Sequence, residues 1–148
     1  MLRSIMMGLV AGQRSMTPLA ALAGAARLGA LPHDNVEARL MSSPLIAAGG
    51  VAMAAAEMAG DKMKTAPDRT VFLGLLARTI TGGFAGAALA PRERQLAGAA
   101  LGGGAAIASS YCGLAVRKWA MERYGQTASG FGEDAIVLAA ATAIAHAR

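Results

Sequence analysis

The apolar positions of this chain gather in stretches too long for the elements of a soluble domain, with short polar connectors between them. The first stretch runs from Ile5 to Leu31 and is interrupted by "GQRSMTP", which carries Arg14 and closes on Pro18. "LPHDNVEARLMSS", residues 31 to 43, is polar and predicts a loop. Pro44 to Gly60 is a second stretch of seventeen residues rich in Ala, Gly and Met. "DKMKTAPDRT" then reads as a connector, because Pro67 and its charged neighbours end any helix there. Val71 to Ala90 gives a third stretch of twenty residues, "PRER" at 91 to 94 a tight basic turn, and Gln95 to Val116 a fourth stretch. "RKWAMERYGQTASG" carries charges with a Trp and a Tyr, as interfacial segments do. The last stretch, Phe131 to Ala147, is barely long enough to span.

A bilayer core takes about 20 mostly apolar residues per helix. The pattern therefore predicts an all-α fold, a polytopic membrane helix bundle of four to five transmembrane helices in a single domain over residues 1–148. Its first helix is expected to be broken, with a new helix starting at Pro18 under a cap from Ser15 or Thr17. A broken helix at membrane depth requires protein or a watery cavity to satisfy the freed backbone groups. The alternative is a short amphipathic piece, Met1 to Gly12, lying on the membrane surface. "MLRSIMMGLVAG" also has the look of a signal peptide, but further apolar stretches follow it, so cleavage would not leave a soluble product. "GLVAGQRSMTPLAALAG" from Gly8 and "GLLARTITGGFAGAALA" from Gly74 share a G-L-x-A opening, an Arg and an alanine-rich tail, which suggests an internal two-half repeat.

Composition agrees with the pattern. Hydrophobic residues make up 55% of the chain and charged residues 16%, against roughly a quarter charged in soluble domains; mean hydropathy is +0.44. The formal charge of +5 comes without a Lys/Arg-rich run and with 4% aromatic residues, so nucleic acid is not the expected partner. Most charges lie between apolar stretches and predict topology and contact with membrane lipids. With five spans, seven Lys/Arg fall on the side of the N-terminus and five on the other, a slight bias toward a cytoplasmic N-terminus that leaves insertion in both orientations open.

Candidate chemistry is sparse. Cys112 has no partner for a disulfide, and His33 and His146 stand in no metal-ligand spacing, so neither metal nor cofactor is expected. There is no nucleophile elbow, phosphate loop or His-based triad, and the chain does not read as an enzyme. Small residues recur four apart at Gly8 and Gly12, Gly82 and Gly86, Gly98 and Gly102, and Ser109 and Gly113. In lipid that spacing lets backbones approach closely and predicts tight helix packing, including self-association into a homo-oligomer.

The charges inside or at the edges of the apolar stretches are Arg14, Glu57, Asp61, Arg78, Glu133 and Asp134. Each would cost at least about 2.5 kcal/mol uncompensated at mid-membrane. Glu57 and Asp61 stack on one helix face at the end where the dipole disfavours negative charge, so cations must lie nearby. Arg14 and Arg78 are expected to meet these carboxylates in one buried cluster.

Three segments, "GLVAGQRSMTPLAAL", "AGDKMKTAPDRTVFLGLLARTITGGFAGAAL" and "GEDAIVLAAA", together resemble a bacterial family known only as domain of unknown function 4126 (DUF4126). The resemblance runs over almost the whole chain in order. Its pattern falls on Gly12, Arg14 and Pro18, on Glu57, Asp61, Lys62, Pro67, Arg69 and Thr70, and on Arg78, Gly82, Gly86, Glu133 and Asp134. Gln13 and Gln95 depart from it, as does the short C-terminal end. The resemblance implies a small multi-pass protein of the bacterial inner (plasma) membrane and no activity. Taken with the charges, it makes Arg14, Glu57, Asp61, Lys62, Arg69, Arg78, Glu133 and Asp134 the candidate cluster. The functional expectation is a small transporter or channel-like protein handling an ion, a proton-coupled solute, another small anionic ligand or a lipid headgroup. The alternative is a non-catalytic membrane scaffold or partner-binding protein whose charges only fix helix packing.

Overall fold

The computed structural model describes residues 1–31, 35–60 and 71–147. These fold into seven α-helices and one 3-10 turn, with no strand among the described residues. Helix α1 (Leu2–Gln13) and α2 (Thr17–Arg27) are the two halves of the first apolar stretch. Pro18 has no N–H, and its ring excludes the carbonyl four residues back, that of Arg14, from a continuing helix. Arg14 accordingly leaves the helix in extended geometry, φ −141° and ψ 115°. The next helix starts with the proline in its first turn, as the sequence predicts, but without a side-chain cap from Ser15 or Thr17.

Short α3 (Val36–Met41) occupies part of the region expected to be a loop. Helix α4 (Pro44–Gly60) has the boundaries of the second stretch, and α5 (Phe72–Ala88) nearly those of the third. The 3-10 turn Arg92–Arg94 stands at "PRER". Helix α6 (Gln95–Tyr124) runs unbroken for 30 residues through the segment expected to be interfacial. It ends at Gly125, whose φ of 81° suits a residue without a Cβ. Helix α7 (Gln126–His146) follows at once, five residues earlier than the sequence suggests. The two similar segments follow different backbone paths: the one from Gly8 is broken at residues 14–16, whereas the one from Gly74 lies mostly within the continuous α5.

Helices α1, α5 and α6 form the tightest block. They carry few large side chains where they meet, and glycines set the contact. A Cβ on Gly8 would run into the Gly102 carbonyl, one on Gly12 into that of Ala106, and one on Gly82 into Ala106. On α5 and α6, Gly86 and Gly98 oppose each other's carbonyls, and Gly102 faces that of Gly82. All six glycines of the predicted packing set therefore lie in backbone-to-backbone contact. Hydroxyls add direction: Ser4 Oγ donates to the Gly86 carbonyl at 2.9 Å, Ser109 Oγ to Leu9 at 2.7 Å, and Ser110 Oγ to Gly12 at 3.3 Å.

Helix α2 lies beside this block, against α4, α7 and α3. Two side chains serve exposed carbonyls at helix ends, where cations and donors are favoured. Arg3 donates to Ile144 at 3.1 Å and Ala145 at 3.0 Å at the end of α7, and buried Asn35 donates to Ala88 and Ala90 at the end of α5.

The core is apolar, but an arginine lies inside it and many large apolar side chains lie outside. Arg14 is 0% exposed and is the largest fully buried side chain, whereas Leu45 is 82% exposed and Leu96 86%. Two helical segments, Arg92–Tyr124 and Gln126–His146, are long and apolar enough to cross a membrane, and 33% of the most apolar window of each is buried. A soluble core helix would hide such a window; these present most of theirs outward. Helices α4 and α5, at 17 residues each, fall short of that length.

Candidate functional site at the helix break

The break between α1 and α2 leaves backbone N–H groups at the start of α2 without partners in their own helix. Glu57 supplies the acceptors from α4. Its Oε1 accepts from the Ser15 N–H and from Ser15 Oγ, both at 2.8 Å, and its Oε2 accepts from the Met16 N–H at 2.8 Å. The carboxylate thus stands at the positive end of α2, where the backbone dipole favours negative charge. Its place near the C-terminus of its own helix is offset by the N-terminus of another. Arg78, buried on α5, brings Nη2 to 3.9 Å from Glu57 Oε1.

On the other side of the break, Arg14 reaches α7. Its Nε and Nη2 donate to Asp134 Oδ1 at 2.9 and 2.6 Å. The Arg14 side chain is 0% exposed and that of Asp134 11%, so the pair is nearly desolvated. Such a pair is held at the cost of dehydrating both ions, and losing either partner is far worse than losing both.

Glu133 points elsewhere, as a neighbouring position on a helix must. It accepts from Arg117 Nη1 on α6 at 3.1 Å. Among the described residues, the ion pairs of the expected cluster fall in two places. Arg14–Asp134 and Arg78–Glu57 meet at residues 14–16, and Arg117–Glu133 joins α6 to α7. Asp61, Lys62 and Arg69 of the expected cluster lie outside the described residues, as do His33, Pro67 and Thr70. No group of three metal-ligating side chains occurs among the described residues.

Polar residues outside the expected cluster complete the arrangement. Gln13 donates from Nε2 to the Ser109 carbonyl at 2.9 Å and to Ser109 Oγ at 2.6 Å. It fits because Gly113 has no Cβ, which would collide with the Gln13 amide. Arg117 carried one signal, its sixteen-residue spacing from Glu133 across Gly125, the glycine that turns α6 back into α7. Thr17, fully buried in the first turn of α2, has a hydroxyl without a hydrogen-bond partner.

A groove of about 710 Å³ opens between α6 and α7, lined among others by Cys112, Val116, Arg117, Gly132, Glu133 and Ile136. A second hollow of about 360 Å³ continues it over Leu9 and Val10 of α1 and Ala140 of α7. Neither is lined by Arg14, Asp134, Glu57 or Arg78. No family model, no curated protein and no solved structure matches this chain, so the chemistry of the site stands on its own geometry.

Proposed function

We propose that the chain is a multi-pass protein of the bacterial inner membrane, a member of the DUF4126 family with four or five crossing segments, and that the helix break is its ion-handling site. Buried charge inside and large apolar side chains outside support the membrane reading, because lipid reverses the usual sorting of residues. The short α1 and α2 count together as one crossing segment, with α4, α5, α6 and α7 as the others. Self-association through small-residue faces belongs to the same reading.

Transport-type function rests on one observation: the N–H groups freed at the break are held by a carboxylate from another helix, with Arg78 beside it. Half-helix ends of this kind bind anions in membrane proteins. Glu57 is then a tethered anion that a proton or a small anionic solute can release from its position. The test is flux of protons and small anions into proteoliposomes, with Glu57→Gln as the variant. Wild-type flux that disappears in a folded Glu57→Gln protein supports the reading. Absence of flux across the panel, with the protein intact in the vesicles, overturns it.

A second reading is favoured by a different observation. The Arg14–Asp134 pair is nearly desolvated, with side chains 0% and 11% exposed, and ties the break to α7. In that reading the protein is a scaffold or partner-binding protein and its charges fix the docking of featureless helices. Retention of every partner interaction by a folded Arg14→Leu/Asp134→Leu double variant, with no flux in the wild type, is its expected signature.

A further inference from the structure

The groove between α6 and α7 is built from one stripe of each helix. On α6 the stripe recurs at helical spacing through Cys112, Val116, Ala120 and Tyr124, and on α7 through Ala128, Gly132, Ile136 and Ala140. Because the helices are antiparallel, Tyr124 and Ala128 mark one end, and Ala108 and Ala140 the other. Sixteen residues of α6 at 1.5 Å each give a length of about 24 Å, more than the roughly 15 Å of one leaflet's hydrocarbon.

Polarity changes along that length. The inner part is walled by Leu9, Val10, Ile136, Val137 and Ala140, and its polar lining residues, Gln13 and Ser109, are bonded to each other. The half nearer the turn carries the Arg117–Glu133 pair, Ser129 and the Tyr124 ring. Tyr124 packs edge-on against Trp119 at 6.4 Å, and Arg123 lies over the Trp119 ring at 5.8 Å. Trp and Tyr with basic neighbours occupy the headgroup level of membranes. An amphipath whose polar end sits at the turn and whose tail runs inward matches this gradient.

We propose that the groove is a binding site for one phospholipid, with an acyl chain along Val116, Ile136 and Val137 and the phosphate beside Arg117, toward the turn. The proposal rests on the membrane reading but not on transport. A second copy of the chain fits less well, because a helix seated there would leave its backbone against the Arg117–Glu133 pair without offering it a charge. The lipid phosphate offers Arg117 an anion, while the tail meets apolar side chains and the mutually bonded Gln13 and Ser109.

Gly132 gives a clean way to plug the site, since a Cβ there meets nothing within 4 Å. Gly104, on α6 outside the groove lining, is equally open and serves as the control. Wild type, Gly132→Phe, Ala128→Phe and Gly104→Phe are reconstituted into vesicles of phosphatidylethanolamine and phosphatidylglycerol and extracted in mild detergent. Retained phospholipid is counted by native mass spectrometry, and oligomeric state is read from the same spectra. The expected result is one tightly retained phospholipid per chain in wild type and Gly104→Phe, and at least a roughly tenfold lower occupancy in the folded plugged variants, the ratio that about 1.4 kcal/mol represents. Equal retention in all four proteins overturns the proposal. So does a wild-type dimer that Gly132→Phe or Ala128→Phe splits into monomers. Recovery of the chain from the soluble fraction of cells overturns the membrane reading itself.

Discussion

The glycine seam and the helix break hold the same helix, α1 with its continuation α2, by opposite means. Along the seam, α1 meets α5 and α6 through Gly8, Gly12, Gly82 and Gly102, and backbone touches backbone. At the break, α2 is fixed by charged side chains arriving from elsewhere, Glu57 from α4 to its first N–H groups and Asp134 from α7 to Arg14. The seam supplies dispersion over a long contact, and its register is set by where glycines face carbonyls and by the hydroxyls of Ser4, Ser109 and Ser110. The break supplies a few short contacts that only one arrangement satisfies. In the membrane setting proposed above, where water does not drive helices together, close packing and polar contacts divide the labour in this way.

The sharpest way to break this comparison is to remove one partner of the desolvated pair. Arg14→Leu leaves the Asp134 carboxylate in a nearly dry site without its guanidinium, and a loss of about 3 to 5 kcal/mol is expected. Arg14→Leu/Asp134→Leu should recover most of it, since both charges then leave together. Unfolding in detergent, followed by circular dichroism for the four members of the cycle, measures the coupling. A double variant as unstable as Arg14→Leu alone would show that the pair does not act as a unit.

The seam is tested next. Gly102→Ala places a methyl group against the Gly82 carbonyl, and backbone cannot turn aside as a side chain can. A loss of about 1 to 3 kcal/mol is expected from overpacking, read in the same unfolding assay. At the break, Glu57→Gln presents an amide NH₂ to N–H groups that need acceptors. One of the three contacts is lost together with the charge at the helix end, and about 1 to 2 kcal/mol should follow. If Glu57→Gln proved more damaging than Arg14→Leu, the cap rather than the buried pair would be the principal lock on α2.

Much of the seam was legible in the sequence, because small residues four apart state a geometric fact about one helix face. The six glycines named from spacing are the ones whose missing Cβ atoms make the contact. The break was legible at Pro18 for the same local reason. How the charges pair was not, because it depends on which faces of α4, α5 and α7 meet. Glu133 and Asp134 are adjacent in the chain yet point to Arg117 on α6 and to Arg14 at the break. Nor did local rules find the cap on α2. Ser15 and Thr17 have the right chemistry for it, but a carboxylate arriving from 41 residues away at Met16 N–H displaces them. The length of α6 was missed because Arg117, Trp119 and Arg123 suggest an interface, and nothing in a charged helical stretch requires the helix to stop.

The smallest expected effect separates the seam from mere glycine content. Gly104 lies two residues from Gly102 on α6, but the rotation of a helix puts it on another face, where a Cβ meets nothing within 4 Å. Glycine in a helix interior gives up backbone entropy that alanine does not, about 0.5 to 1 kcal/mol per position. Gly104→Ala should therefore stabilise the protein by up to that amount, while Gly102→Ala destabilises it. The two variants have the same composition and differ by two positions in one helix, so unequal propensity or altered lipid solubility cannot produce opposite signs. Opposite shifts in unfolding midpoint would assign the difference to the carbonyl of Gly82. Equal shifts would mean that α5 and α6 give way to admit a methyl group, and the seam would then be a loose contact whose register is left to its hydroxyls and the charged break.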